Sequence, residues 1–511
     1  MTRTLKNYIG GEWVASTSDK TTPVINPATC EVLAYVPEGT REDVDSAVQA
    51  ASAAFPEWRA TPMLSRAQYL YRLKGLFEGR FEELARIVVE ENGKTRDEAR
   101  GEVRRGIESI EYGMSVPALM RGYKMEDVSS GIDETAERQP IGVFAAITPF
   151  NFPLMVPLWF LPTAIATGNT YIIKPSPQTP ISMDLLYEIM DELDLPEGVV
   201  NLVHGGKEAS MAVMEHPGIA GVSFVGSTPI AKLVYEVCAK HGKRVQAQGG
   251  AKNYIAVMPD ANMAASVTNI MGSSYGCAGQ RCLAGSVVVA VGDAYEPLKA
   301  ELLKRASALR VGNGLDESTQ MGTVISESAR ERIESMIAAG VAEGAQPILD
   351  GRGKTVAGLE QGSWVGPTIL DGVTPEMSVA TDEIFGPVMS IIHVPDFDSA
   401  VDVINKSRFG NAASLFTSSG LAAREFKYRV NAGNIGINIG VAAATASFPF
   451  GGQKDSFFGD LHGQGLDSIE FFTDKKILIE RWIEGRGERA TLKLESEGRQ
   501  EHVFPHTTIN F

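Results

Sequence analysis

Short apolar runs rich in valine and isoleucine alternate along the chain with longer segments whose apolar residues recur every three to four positions. "VFAAIT" is followed by a helix-like run through "VPLWFLPTAIATG", then "TYIIKPS", "MDLLYEIMDELDL", "VVNLVHG", "EASMAVMEH", "GVSFVGS" and "PIAKLVYEVCAKHG". Runs of this kind read as parallel strands buried on both faces, with the segments between them as covering helices. A second series of the same type runs from "NYIAVMPDA" to "FGPVMSIIHVPDF". Before both, "TREDVDSAVQAASAAFPEW" opens with Thr40 and Asp43, a capped helix start. "SRAQYLYRLKGLFEGRFEELARIVVEENGKT" reads as two amphipathic helices, and "YKMEDVSSGIDETAERQP" as a protruding hairpin. There is no repeat at a fixed period. The pattern predicts a mixed α/β protein.

One stretch needs a membrane check. From Gln139 to Ile173 there is no charged residue. A span needs about 20 consecutive apolar residues, and here prolines at 140, 149, 153, 157 and 162, with Asn151 in the middle, divide the stretch into strand, loop, helix and strand. The N-terminus lacks the apolar run of a signal peptide. The 511 residues are enough for two or three domains, and a formal net charge of −16 argues against nonspecific nucleic-acid binding. Four cysteines are too few for a disulfide scaffold and suit a reducing compartment, so the expected location is cytoplasmic. The charge-rich tail after Trp482 reads as a solvated extension, with an arm packing on another subunit as the alternative.

Chemistry concentrates in "YGCAGQRCLAG", where Cys277 and Cys282 stand five positions apart and Arg281 precedes the second. Read alone, the pair admits a disulfide, half a metal site, two buried small hydrophobes or a nucleophile. None of the seven histidines lies close enough in sequence to complete a zinc site, so no metal is expected. The adjacent positive charge and small neighbours suit a thiolate nucleophile at Cys282. In "PFNFP", Asn151 is an amide among apolar residues: either a loop hydrogen bond or a donor to a developing oxyanion. "SFVGSTPIAKLVYE" is a strand, a turn and a helix, with Thr228 able to cap and Pro229 suited to the first helical position. Such a helix start can collect phosphate, although the segment is not a G-x-G-x-x-G fingerprint. Lys174 ends the "YIIK" strand, at the sheet edge where open α/β folds bind ligands, or is a plain surface lysine.

Taken in chain order, "TPFNFP", "YIIKPS", "SFVGST", "GGAK", "GQRC", "DEIFGPV" and "FPFGG" resemble the aldehyde dehydrogenase superfamily over roughly Tyr8 to Trp482. The resemblance implies a Rossmann-type NAD(P)-binding domain (1–123 and 142–251), an α/β catalytic domain (252–446) and a small β oligomerisation arm with a C-terminal extension (124–141 and 447–511). It implies Cys282 as nucleophile and Asn151, with the Cys282 backbone N–H, as oxyanion hole. Phe150, Lys174, Ser176, Pro177, Gly226, Ser227, Gln248, Glu383 and Phe385 fall on cofactor-side positions, with Lys174 at the adenosine ribose and Glu383 and Phe385 at the nicotinamide. Cys277 has no catalytic role in the pattern.

Two departures narrow the expectation. Hydrolytic relatives carry a glutamate in "ELGGK" that activates water; here "VQAQGGAKNY" places Gln248 at that position, which removes a general base worth about 10²–10⁴-fold. With "GQRCLA", "GDLHGQG" and "FFTDKKILIERW", the segment resembles the coenzyme A-acylating methylmalonate-semialdehyde dehydrogenase branch. A thiol acceptor needs such a base far less than water does. That branch holds its substrate's carboxylate with two arginines, which match Arg281 and Arg105, Arg104 being the neighbour; the planar guanidinium fork suits a carboxylate. The second departure is Pro177, which stands where many NAD-using relatives have a ribose-binding glutamate and leaves NADP open beside NAD. The expected reaction is oxidation of malonate or methylmalonate semialdehyde, acyl transfer to coenzyme A and loss of the carboxylate. Its rivals are a hydrolytic aldehyde dehydrogenase for another aldehyde and a catalytically silent protein of the same fold. Expected partners are the small substrate, coenzyme A and further copies of the chain in a homodimer or homotetramer, with no nucleic acid or membrane.

Overall fold

The computed structural model describes residues 3–482. The tail beyond Trp482, on which the sequence offered two readings, lies outside them. Two sheets organise the chain. The first has eight strands in the order Glu12–Val14, Asn7–Ile9, Val200–Leu202, Thr170–Lys174, Val143–Ile147, Ile219–Val225, Arg244–Gln248 and Phe457–Gly459. Its central strands pair in parallel, and antiparallel strands close both edges. Val143–Ile147 and Thr170–Lys174 are buried at every position, because helices cover both sheet faces. The uncharged stretch is strand Val143–Ile147, helix Met155–Thr167 and strand Thr170–Lys174, all internal. Among the described residues no helix is long and apolar enough to cross a membrane.

The second sheet has seven strands in the order Gln346–Leu349, Thr368–Asp371, Val388–Val394, Gly285–Val291, Asn253–Val257, Ala412–Phe416 and Asn434–Ile437. All pairs are parallel except the one at the Gln346–Leu349 edge. A continuous core of valine, isoleucine and leucine fills the space between this sheet and its helices.

The chain divides into a large unit, residues 3–121 and 138–475, and a small one described over 122–137 and 476–482. The small unit is built on the expected hairpin, Tyr123–Ser129 with Ile132–Pro140, flanked by strand Thr473–Arg481. One grouping from the sequence changes: residues 447–475 belong with the large unit. Phe457–Gly459 pairs with Arg244–Gln248 in the first sheet, and Phe471 and Phe472 pack their rings on Phe144. Burial of these aromatics ties the segment to the first core rather than to the arm.

Two helix starts on the N-terminal side follow their capping signals. Thr40 and Asp43 form a reciprocal capping box on Arg41–Ala60, and Thr95 and Glu98 form a second on Arg96–Met114. At Thr228–Lys240 the cap position is Ser227 rather than Thr228, with Pro229 just inside. Thr228 instead donates its hydroxyl to the Asp455 carbonyl and accepts the Gly250 N–H, both at 2.9 Å.

Candidate active site

The loop carrying the cysteines runs from helix Met263–Tyr275 to strand Gly285–Val291. It turns sharply: Cys277 and Ala278 hold left-handed φ values of 51° and 49°, and Gly279 has φ 72°. A side chain at Gly279 would run into the Gly386 carbonyl oxygen, so only glycine fits there. The loop is then fixed by side chains that the sequence reading did not single out. The Asn253 and Asn411 amides donate to the Cys282 carbonyl at 2.9 and 2.8 Å. The Cys277 N–H donates to Glu98 Oε1 at 2.6 Å. Cys277 is buried, and its sulfur accepts from Arg281 Nε at 3.3 Å, so it packs and helps orient the arginine. All four cysteines are free thiols.

Cys282 lines two cavities at once. The smaller, about 420 Å³, has apolar walls that include Phe152, Met155, Trp159 and Phe450, with Arg105 and Arg281 also lining it. The larger, about 650 Å³, is lined by Asn151, Lys174, Gly226, Ser227, Glu383 and Phe385 among others. Arg281 reaches the Gly272 carbonyl at 3.2 Å and lies 3.7 Å from Glu98. Arg105 donates to Glu108 at 2.9 Å and to the Ala444 carbonyl at 2.7 Å. Arg104 pairs instead with Glu78 on the surface and lines neither cavity, which separates the two neighbours. Asn151 is buried and donates from Nδ2 to the Gln280 carbonyl at 3.0 Å, two residues before Cys282.

Burial pushes the Cys282 thiol up to about 12, and the Glu383 carboxylate adds to the rise. The backbone N–H groups of Cys282 and Leu283, and the charge of Arg281, act in the opposite direction. Burial also pushes the Glu383 carboxyl up to about 7, against the pull of the Ala251 N–H, which it accepts at 2.8 Å, and of Lys252.

The larger cavity has the features a dinucleotide needs. Ser227 caps Thr228–Lys240 without a side-chain hydrogen bond. Pro229 has no N–H and the Ile230 N–H donates to the Ser227 carbonyl at 3.0 Å, so the Ser227 and Thr228 N–H groups are the ones placed to meet a phosphate. A Cβ at Gly226 would stand 2.5 Å from the Phe224 ring, so the close backbone there depends on glycine. Lys174 ends its strand buried, held by the Pro175 and Gly205 carbonyls at 2.6 and 2.9 Å, and burial lowers its ammonium to about 8. Ser176 and Pro177 line the same wall. Phe150 and Phe385 meet edge to face at 5.9 Å. Gln248, expected on this side, lines neither cavity: it is buried, and its amide donates to the Phe450 carbonyl at 2.9 Å.

A thiol on a loop that opens onto two cavities, one of them edged by a helix start, is the arrangement of an oxidoreductase of the aldehyde dehydrogenase class, and the chain belongs to the aldehyde dehydrogenase family, whose family model matches residues 13–478. The chain is 49% identical over 480 residues to malonate-semialdehyde dehydrogenase 2 of Geobacillus kaustophilus (strain HTA426), covering 94% of this chain and 99% of that protein. To malonate-semialdehyde dehydrogenase of Halalkalibacterium halodurans it is 48% identical, over 94% of this chain and 98% of the relative. The crystal structure of methylmalonate-semialdehyde dehydrogenase from Oceanimonas doudoroffii superposes with a TM-score of 0.93 at 42% identity, covering 95% of this chain and 99% of that one. The aldehyde dehydrogenase of Bacillus cereus in its NAD+ complex superposes with a TM-score of 0.89 at 32% identity, over 93% and 96% of the two chains.

Proposed function

We propose that this chain oxidises malonate or methylmalonate semialdehyde with NAD and transfers the acyl group to coenzyme A, with loss of the substrate's carboxylate. The observation that carries the reading is the placement of Cys282 on both cavities, with Arg281 and Arg105 lining the smaller one. The two guanidinium groups hold the carboxylate and leave the aldehyde at the thiol. The Cys282 thiolate adds to the aldehyde carbon, forming a C–S bond, while the second hydrogen of the Asn151 amide and the Cys282 N–H bind the new oxyanion. The dinucleotide, held by Lys174, Ser227 and Glu383, supplies the hydride acceptor when bound. Collapse of the oxyanion as hydride departs leaves a thioester on Cys282.

The substrate's carboxylate is then β to the thioester carbonyl. As the C–C bond breaks, carbon dioxide departs (hydration by solvent water turns it to bicarbonate) and the bonding electrons delocalise onto the same carbonyl oxygen, so the same donors serve that step. The α-carbon then takes a proton from solvent, which leaves the acetyl or propionyl thioester on Cys282. The coenzyme A thiolate attacks the thioester, the Cys282–acyl bond breaks, and acetyl- or propionyl-coenzyme A departs with the enzyme thiol restored. Gln248 supports the choice of acceptor: its amide is spent on Phe450 and offers water no base. Pro177 sets no carboxylate against a 2′-phosphate, so NADP is assayed beside NAD. The free thiols suit the cytoplasm, and the exposed apolar row of the small unit suits self-association into a dimer or a pair of dimers.

The test supplies each semialdehyde with NAD or NADP, with and without coenzyme A, and identifies the acyl product. Expected is acyl-coenzyme A and a strong dependence on the thiol. Free acid formed at the same rate without coenzyme A overturns the transfer step in favour of a hydrolytic aldehyde dehydrogenase. Arg105→Leu and Arg281→Leu are each expected to raise KM about 10- to 100-fold, the loss of a charge-assisted bond, with little effect on an uncharged aldehyde of similar size. An unchanged KM in both removes the clamp.

A further inference from the structure

Lys94 and Glu102 form an ion pair whose two side chains have no exposed surface. Burying two charges carries a desolvation penalty that apolar residues of the same volume avoid, so stability alone does not account for the pair. Its remaining contacts point elsewhere. Lys94 Nζ bonds Glu102 Oε2 at 2.5 Å and the Asn151 carbonyl at 2.8 Å, and sits 4.2 Å over the Phe152 ring. Glu102 Oε1 accepts the Leu154 and Met155 N–H groups at 2.9 and 3.1 Å. Those groups open helix Met155–Thr167, whose cap residue Leu154 has no capping side chain of its own. A carboxylate at that positive end replaces the missing cap. Just before it in the chain, the Phe150 carbonyl accepts from Asn92 Nδ2 at 2.9 Å.

Residues 150–155 are thus gripped at both ends from a preceding helix pair, and the middle of the grip is the backbone of Asn151. The Asn151 side chain in turn spends one amide hydrogen on Gln280, on the nucleophile loop. We infer that the buried Lys94–Glu102 pair is a positioning device, setting where the free amide hydrogen of Asn151 stands relative to Cys282. This rests on the reading of Asn151 as oxyanion donor.

A structural role and a positioning role differ in what a balanced removal does. In the double variant Lys94→Met with Glu102→Gln both charges are gone. The amide oxygen introduced by Glu102→Gln can still accept from the Leu154 N–H, but nothing holds the Asn151 carbonyl. The measurements are thermal midpoint, KM for the semialdehyde and the single-turnover rate of reduced-cofactor formation, made on the full chain. The double variant is expected to fold, to keep KM within about threefold and to lose about 10- to 100-fold in rate, short of the roughly 10²–10³-fold cost of removing an oxyanion donor outright. In an Asn151→Ala background the same two substitutions are expected to change the rate by less than about threefold, since the group they position is absent. Wild-type rate in the folded double variant overturns the proposal, as does failure of that variant to fold, which assigns the pair to core stability. An undiminished loss on the Asn151→Ala background also overturns it, because the pair then acts elsewhere. An Asn151→Ala enzyme with unchanged rate sinks the oxyanion reading itself and the proposal with it.

Discussion

At the scale of single residues, Cys282 and Glu383 are coupled through charge. With the thiol pushed up to about 12 by burial first and by the Glu383 carboxylate second, the free enzyme holds little thiolate at neutral pH. Alkylation of Cys282 by iodoacetamide, followed on its own peptide because Cys30 is exposed, should therefore rise by about tenfold per pH unit above pH 8. Near pH 7 the slope should be shallower, because Glu383 ionises there, its carboxyl lying at about 7, and each new negative charge holds the thiol proton more tightly. Glu383→Gln removes that charge and should speed alkylation at pH 9; an unchanged rate would leave burial as the only cause. Gln248→Glu makes a different point. It sets a carboxylate against the Phe450 carbonyl in a buried site, so the variant should lose about 1–3 kcal/mol of stability and gain no coenzyme A-independent turnover. A lowered melting midpoint together with acyl-coenzyme A as the sole product is the expected result, and efficient free-acid release would contradict it.

At the scale of elements, the site hangs on helix Arg96–Met114 and the loop around Cys282. The helix start carries Glu98, which holds the Cys277 N–H, and its later turns carry Glu102 and Arg105. Thr95→Ala removes the capping hydroxyl and should cost about 1 kcal/mol, read as a lower urea midpoint with KM for the semialdehyde also raised as Arg105 loosens. Gly279→Ala, forced against Gly386 from a left-handed backbone, should fold but lose at least about a hundredfold in rate, the order expected when a reacting group is displaced by an ångström. These elements were legible in unequal measure. Strand runs such as "VFAAI" and capping residues such as Thr40 declare themselves because their cause is local. Arg105 and Arg281 could be named because each stands in a motif. Lys94, Asn253 and Asn411 could not, since what matters is a partner 57, 29 or 129 positions away. Lys94 in particular stands in "NGKTRDEAR", which by composition is a solvated charged stretch, and only the fold shows it buried. Thr228 was misread for a smaller reason of the same kind: a hydroxyl free to cap in sequence is drawn to Asp455 in space.

At the scale of the whole molecule, the small unit poses a problem that the large one does not. Every residue of strand Tyr123–Ser129 is exposed, and in Thr473–Arg481 the consecutive residues Ile477, Leu478 and Ile479 are 52%, 45% and 64% exposed. Successive strand residues point to opposite faces, so both faces of this sheet present apolar side chains to solvent. A three-stranded sheet with so much apolar surface exposed is poorly stable alone, and the self-association proposed above supplies a cover for it. Ile477→Asp with Ile479→Asp places two charges on one face of that strand and should shift the sedimenting mass to that of a single chain, about 55 kDa for the 54.9 kDa protein; an unchanged mass would mean that this face is not the contact. Salt gives an independent check. Each copy carries a formal charge of −16, so like charges oppose association while apolar burial drives it. Raising the ionic strength from about 10 mM to about 150 mM shortens the reach of that repulsion from roughly 30 Å to roughly 8 Å. Association should therefore tighten with salt, and dissociation on adding salt would point to ion pairs rather than apolar burial as what joins the copies.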